Sequence, residues 1–204
     1  MSGRVWYVAY GSNLLRERFL HYLSGGRFRA QGQSHSGARD TTLPKADRCR
    51  IVDHQLRFGR QSQRWGGGVC FLDPEPGSGQ AYVRCWSLTT EQFIDVAVQE
   101  NGGASDGFTM DLDHLEGVGY LDVVEGWYGR LLWLGRMDGD PLLTFTSAGL
   151  TSPRAPGAEY LDVVGSGLIE AGLVGDTEEA AAYLHGCPGV AEGWSIEEVI
   201  SLLG

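Results

Sequence analysis

Apolar and polar positions near the start of this chain first follow a strand pattern and then a helical one. Val5 to Ala9 is a short, apolar, β-favouring run, which predicts a buried strand. From Leu14 to Leu23 the apolar residues recur at helical spacing, and Gly25-Gly26 ends the predicted helix. Tyr10-Gly11-Ser12-Asn13 lies between the two as a turn. The pattern therefore predicts a strand, a tight polar turn and a helix.

The middle of the chain is mostly strand-like. Residues 69–72 and 80–88 are apolar runs separated by a Pro-Gly turn, which predicts a β-hairpin with a longer loop. The mixed alternation at 49–58 is compatible with one more strand. Residues 30–48 are predicted to be a loop, and residues 101–118 an irregular insertion. Further strands are predicted at 120–124, 130–134 and 142–146.

Helical patterns occupy residues 89–100 and the C-terminal third. Thr89 followed by Gln92 is a capping-box signature, as is Ser195 followed by Glu198. The C-terminal helices are predicted at 159–173, 177–184 and 195–203. Together these elements predict one α+β domain over residues 1–204, a mixed sheet or barrel-like core with flanking helices. Residues 174–204 are a candidate helical C-terminal appendage.

Composition narrows the classes of partner. The chain has 204 residues and a formal net charge of -10, which disfavours nucleic acid because an acidic surface repels phosphates. Its four cysteines show no metal-type spacing, so we interpret them as reduced thiols in a cytoplasmic protein. No apolar stretch reaches the ~20 residues of a membrane span, and no signal-peptide core is present. The expected location is the cytoplasm, with no membrane partner.

The turn at Tyr10–Asn13 is the first candidate for chemistry. A strand-to-helix turn directs backbone N–H groups to one spot, and the helix amino end adds partial positive charge there. Gly11 allows a ligand to approach the backbone closely. The turn could therefore bind a carboxylate or a developing oxyanion. An ordinary capped connection between strand and helix explains the same residues.

Glu100 is the second candidate. Its spacing from Phe93, Val96 and Ala97 places it on the helix face expected to turn inward. Desolvation there would raise the carboxyl pKa toward the range useful to a general base. The alternative is a solvent-facing residue at the helix end.

Other candidates are weaker on pattern alone. Glu116 and Glu125 each precede a glycine and fit plain turns, although Glu125 could point inward from a strand end. Trp65 before three glycines could form a pocket wall, or simply precede a flexible turn. Tyr160 could present its hydroxyl from the start of a helix, or be an ordinary half-buried tyrosine.

These features occur in the order found in the γ-glutamylcyclotransferase family. YVAYGSNLLRERF, at 7–19, resembles the family's N-terminal signature of strand, YGSN loop and helix. LRFGRQSQRWGGG, at 56–68, resembles a second family segment, and 69–86 looks like the hairpin that follows it. Pro156 to Tyr160 resembles a turn that ends in a substrate-side tyrosine. The resemblance covers roughly residues 5 to 170.

The resemblance implies a small mixed α/β barrel-like domain that cyclises a γ-glutamyl group to 5-oxoproline and releases an amine or amino acid. It implies Glu100 as the acid/base, a small-molecule γ-glutamyl substrate, and no metal or organic cofactor. Tyr160 would close the site. The implied substrate-binding residues are Tyr7, Val8, Ala9, Tyr10, Gly11, Ser12, Asn13 and Tyr160.

The chain departs from the family in ways that leave alternatives open. Asn101 replaces a glycine that commonly follows the family's Glu, and Val83 stands where the family often has glycine. The Leu-Asp-x-x-Glu-Gly pattern seen around that Glu occurs here at Leu121 to Gly126, so Glu125 is an alternative base. A catalytically silent binding module and another amide-cleaving chemistry are the competing functions. No GxSxG nucleophile signature supports the last.

Overall fold

The computed structural model describes residues 3–29, 34–103, 110–149 and 152–204. Parts of the loop predicted at 30–48 and of the insertion predicted at 101–118 lie outside these residues. In chain order the elements are β1 (Arg4–Ala9), a 3-10 helix (Ser12–Leu14), α1 (Arg16–Ser24), β2 (Gly26–Arg27), β3 (Ser34–His35), β4 (Asp47–Val52), β5 (Leu56–Ser62), β6 (Gly67–Leu72), β7 (Ala81–Thr89), α2 (Thr90–Glu100), α3 (Leu112–Val118), β8 (Tyr120–Asp122), β9 (Arg130–Met137), β10 (Asp140–Thr146), α4 (Ala158–Glu170), α5 (Thr177–His185) and α6 (Ile196–Leu203).

The main sheet has the strand order β4-β7-β1-β10-β9-β8. β1 is parallel to β10, with Tyr7 opposite Leu143, whereas β9 is antiparallel to both β10 and β8. β1 is an inner strand and every residue after Arg4 is buried, which explains its continuous apolar run. The predicted α+β class is confirmed, with a mixed, mostly antiparallel sheet and flanking helices.

The predicted pairing of 69–72 with 80–88 is wrong. β6 pairs with β5 instead, with Leu56 opposite Leu72, while β7 belongs to the main sheet. The run at 49–58 also differs from the prediction of one strand. It contains parts of two strands, a mostly exposed β4 and a partly buried β5, separated at 53–55. Because only residues 63–66 connect β5 to β6, their pairing closes a shorter loop than the expected hairpin.

A helix lies where the sequence was interpreted as an irregular insertion. Asp111 caps α3 by accepting a hydrogen bond from the His114 N–H, and Gly119 ends it with a φ of 89°. That φ is in the left-handed region that favours glycine. Both end signals are present in the sequence, but a two-turn helix has too few apolar positions to show a clear period.

The chain divides into two compact units, each built from separate stretches of sequence. The first unit contains the described residues of 1–9, 20–48 and 85–148, and the second those of 10–19, 49–84 and 149–204. In the second unit, α5 and α6 contact each other and α4. Neither unit has a boundary at residue 174, and the assignment of a single domain with an appendage stays a prediction.

Candidate functional site

The Tyr10–Asn13 turn has the strand–turn–helix context that the sequence predicts. Tyr10, Gly11 and Asn13 are buried, and Ser12 is half-buried. The turn is a 3-10 helix in which the Leu14 N–H donates to the Gly11 carbonyl at 2.9 Å. This helix delays the start of α1 to Arg16, two residues beyond the predicted start at Leu14.

The amino end of α1 already holds a carboxylate of the same unit. The Arg16 N–H donates to Glu170 Oε1 at 3.1 Å. The buried Arg84 side chain donates to that same oxygen at 2.5 Å and to the Leu14 carbonyl at 3.0 Å. The positive end of the helix dipole is therefore compensated by Glu170. An anion bound by the turn therefore depends on the N–H groups of Gly11–Asn13. The sequence analysis expected the amino end of α1 to attract the anion as well, but Glu170 already occupies that position.

Tyr160 lies directly against Gly11. Its ring is buried, and its hydroxyl oxygen accepts a hydrogen bond from the Cys70 N–H at 3.1 Å. A Cβ atom placed on Gly11 would lie 3.0 Å from this hydroxyl oxygen and 3.1 Å from the Cys70 Cβ atom. Gly11 is therefore packed too closely for a larger side chain to enter without displacing a neighbour. Tyr160 and Gly11, assigned to one site by the resemblance, are neighbours in the second unit.

Trp65 joins the same cluster. Its ring centroid is 5.0 Å from that of Tyr160, and Phe58 packs edge-on against Tyr160 at 6.2 Å. The glycines that follow Trp65 are explained in two different ways. Gly68 lies against neighbouring backbone, because its N–H donates to the Ala155 carbonyl at 2.8 Å and a Cβ atom there would overlap the Arg154 carbonyl oxygen. A Cβ atom on Gly66 would meet no atom within 4 Å, but its φ of 67° is in the left-handed region that favours glycine.

Cys70 is a member of this cluster that the sequence pattern did not single out. It is fully buried, and burial raises the pKa of its thiol well above the usual range, although the hydrogen bond with Tyr160 acts in the opposite direction. The thiol is consequently protonated at neutral pH and is a poor nucleophile. No motif could have identified it, since its place beside Tyr160 depends on how β6 and α4 pack.

Tyr7, Val8 and Ala9 lie in the first unit, on β1. Tyr7 stacks on Phe145 with ring centroids 5.1 Å apart, and Phe93 of α2 lies 6.0 Å from each of these rings. The Val8 carbonyl accepts a hydrogen bond of 2.7 Å from the buried Thr144 hydroxyl. All three predicted residues are thus buried on an inner strand of the sheet.

The three candidate carboxylates differ in their surroundings. Glu100 lies on the last turn of α2 and is half-buried, next to the buried residues Val96 and Ala97. Glu125 is exposed, in the bend between β8 and β9. Glu116 is exposed and bonded to Arg136, which holds the pKa of its carboxyl below the usual range. Of the three, only Glu100 is partly withdrawn from solvent.

Among the described residues, no group of three or more His, Cys, Asp and Glu side chains could hold a metal ion. Over the ranges that the structure describes, none of the helices has the length and apolar character to cross a membrane.

Solved structures resemble this chain over nearly its whole length. A structure named Gamma-glutamyl cyclotransferase covers 97% of this chain and 98% of its own, with a TM-score of 0.53 and 20% identity. The chain has the γ-glutamylcyclotransferase fold. An uncharacterized protein from Homo sapiens matches this fold with the same coverage, a TM-score of 0.52 and 19% identity. YkqA from Bacillus subtilis matches over 91% of this chain and 55% of its own, with a TM-score of 0.50 and 15% identity.

One protein that resembles this chain in sequence is not named as a γ-glutamylcyclotransferase. Histone deacetylase 5 of Arabidopsis thaliana is 34% identical over 199 residues, which covers 88% of this chain. The chain spans only 30% of that relative's length. The relative's name therefore applies to a much longer protein, of which this chain matches one part. No protein-family model matches the chain.

Proposed function

We propose that this chain is a γ-glutamylcyclotransferase-type enzyme that cyclises the γ-glutamyl group of a small molecule to 5-oxoproline and releases an amine or amino acid. The observation that supports it most directly is the packing of Gly11 against the buried Tyr160 hydroxyl. Two residues far apart in the sequence, assigned to one substrate site by the family resemblance, are neighbours in a chain with the γ-glutamylcyclotransferase fold.

The proposed reaction is an intramolecular acyl transfer. The substrate α-ammonium loses a proton to Glu100, and the free amine attacks the γ-carbonyl carbon. A new C–N bond closes the five-membered ring, and the C–N bond to the leaving amine breaks. Glu100 returns its proton to that amine, and the ring nitrogen passes its surplus proton to the released amine by way of solvent. Ring closure within one molecule needs mainly orientation, which binding supplies.

The remaining roles follow from the character of the turn and its neighbours. The N–H groups of Gly11–Asn13 are proposed to stabilise the oxyanion on the γ-carbonyl. Tyr7 to Asn13 are proposed to line the substrate, with Tyr160 closing the site. The buried, protonated Cys70 thiol is unsuited to a covalent intermediate, which favours direct attack by the substrate amine. We propose the cytoplasm as the compartment, supported by four cysteines that are all free thiols.

Purified protein incubated with γ-glutamyl-amino acids and γ-glutamyl-amines should release 5-oxoproline. We expect Glu100→Gln to abolish the release, because the amide cannot accept the α-ammonium proton. The matched control is Glu125→Gln, which changes the exposed alternative carboxylate and should leave the rate near that of wild type. Melting curves check that both variants fold.

Three results would revise the proposal. Activity kept by Glu100→Gln and lost by Glu125→Gln would transfer the base to Glu125. Binding of 5-oxoproline without turnover of any γ-glutamyl compound would favour a silent binding module. A trapped acyl-enzyme would indicate another amide-cleaving chemistry.

A further inference from the structure

Asn101, the residue after Glu100, joins the end of α2 to the bend before β9. Its Nδ2 group donates to the Ala97 carbonyl at 3.0 Å and to the Tyr128 carbonyl at 3.1 Å. Its Oδ1 atom accepts a hydrogen bond from the Tyr128 N–H at 3.3 Å. One carboxamide therefore closes the last turn of the helix and pairs with both backbone groups of Tyr128.

The bend is shaped around this carboxamide. A Cβ atom on Gly126 would lie 2.5 Å from Asn101 Oδ1, closer than such a contact allows. The bend is also closed on itself, because the Val123 N–H donates to the Gly129 carbonyl at 2.9 Å. The backbone at 123–129 is thus a compact unit that fits against the Asn101 side chain.

Tyr128 gives the bend a second anchor. Its ring packs edge-on against Phe145 at 6.1 Å, and Phe145 stacks on Tyr7 of β1. Phe93, on the same helix as Glu100, lies 6.0 Å from Phe145. Asn101 consequently links the last turn of α2 to a residue that is itself packed on the sheet.

Among the described residues, the two glycines after Asn101 bond back to the helix, since the Gly103 N–H donates to the Val98 carbonyl at 2.9 Å and the Gly102 N–H donates to the Gln99 carbonyl at 3.3 Å. Gly102 and Gly103 both have positive φ, and a Cβ atom added to either would meet no atom within 4 Å. These bonds stay within the helix end, whereas the Asn101 side chain bonds the last turn of α2, which contains Glu100, to the bend at 123–129.

We infer that Asn101 is a positioning residue for the cyclisation: its carboxamide fixes the backbone of Glu100 by bonding the last turn of α2 to Tyr128. The inference rests on the proposed function, with Glu100 as the base. Proton transfer requires the carboxylate within hydrogen-bond reach of the substrate, and small displacements of a catalytic group cost large factors in rate. A glycine at position 101 could close the helix but could not hold the bend.

The test compares steady-state 5-oxoproline release by the full chain for wild type and three variants. Asn101→Gly removes the carboxamide, and Gly126→Ala disturbs the same contact from the bend. The matched control is Gln99→Ala, because Gln99 Nε2 also makes three hydrogen bonds from the same turn, to the carbonyls of Tyr22, Gly37 and Asp95. The substrate is the γ-glutamyl compound that wild type cyclises fastest.

We expect Asn101→Gly and Gly126→Ala to lower kcat by about 10- to 100-fold, with a much smaller change in KM. Gln99→Ala should lower the melting temperature comparably but keep kcat near the wild-type value. Hydrogen exchange at the Tyr128 amide, which does not depend on activity, should be slow in wild type and faster in Asn101→Gly.

Each contrary outcome identifies a different failure. If wild type is active and Asn101→Gly loses no kcat, the positioning role alone is overturned. The same holds if Asn101→Gly and Gln99→Ala lose kcat equally. An unprotected Tyr128 amide in wild type overturns the link itself. Wild type without turnover of any γ-glutamyl compound overturns the proposed function, and the positioning role with it.

Discussion

At the scale of single residues, a few atoms determine whether the proposed substrate turn keeps its shape. Gly11 has a negative φ of -123°, which other residues can adopt. Position 11 therefore requires glycine because of the atoms packed closely around it. Those neighbours are the hydroxyl oxygen of Tyr160 and the Cβ atom of Cys70. The hydroxyl in turn satisfies the buried Cys70 N–H. Each of the two residues, Gly11 and Tyr160, can be tested by changing very few atoms.

Gly11→Ala should destabilise the fold and impair substrate binding. The added methyl group would press on Tyr160 and Cys70, and overpacking of this kind costs about 1–3 kcal/mol. The matched control is Gly117→Ala, where a new Cβ atom meets nothing within 4 Å and the residue lies in α3. Urea unfolding measures both variants. Equal free energies of unfolding for Gly11→Ala and wild type would contradict the packing argument.

Tyr160→Phe removes one oxygen atom and leaves the Cys70 N–H without its partner. An unsatisfied buried donor costs on the order of 1–3 kcal/mol, so the free energy of unfolding should fall by that amount. Tyr120→Phe is the control, because Tyr120 is exposed on β8. If the two variants unfold at the same denaturant concentration, the buried hydrogen bond has no measurable effect.

At the scale of elements, sequence signals predicted the structure correctly where the hydrogen bonds concerned join residues close together in the sequence. Both predicted capping boxes are present, at Thr89–Gln92 on α2 and at Ser195–Glu198 on α6. Strand partners were less predictable, because the apolar pattern of β6 and β7 does not specify the strand with which each one pairs. The β5–β6 pairing and the place of β7 in the main sheet depend on contacts distant in sequence.

Thr89→Ala should weaken α2, the helix that contains Glu100. The Thr89 hydroxyl accepts a hydrogen bond of 3.1 Å from the Gln92 N–H, and loss of such a cap costs about 1 kcal/mol. Thr89→Ser keeps the hydroxyl and should restore most of the loss. The measurement is the free energy of unfolding in urea, and an unchanged value for Thr89→Ala would show that the cap is dispensable.

At the scale of the whole molecule, three cysteines are buried and one is exposed. Cys70, Cys85 and Cys187 are buried, whereas Cys49 lies exposed on β4. Burial raises the pKa of the Cys187 thiol to about 12, from a reference value of 9.0. Burial also raises the pKa values of Cys70 and Tyr183. The folded chain therefore retains protons that the unfolded chain releases in alkali.

Stability should consequently fall as the pH rises above about 9. The folded-state pKa of Cys187 is raised, so its contribution is complete below pH 9.0 and is lost as the pH rises toward about 12. One such group contributes a slope of at most about 1.4 kcal/mol per pH unit. Urea unfolding under reducing conditions between pH 7 and 11 measures it, and Cys187→Ala should show a shallower decline. A flat profile in wild type would contradict the burial of these groups.

What the sequence by itself determined is local or depends on a motif: the strand, turn and helix around Tyr10–Asn13, the caps of α2 and α6, and a resemblance that led to the correct fold. These features depend on neighbouring residues, so short segments are enough to show them. The tertiary structure alone decided the rest. It packed Gly11 against Tyr160 and Cys70, occupied the amino end of α1 with Glu170, and tied Asn101 to Tyr128. Those contacts join residues 27 or more positions apart in sequence, and no local pattern specifies which distant partner a buried polar group will bind.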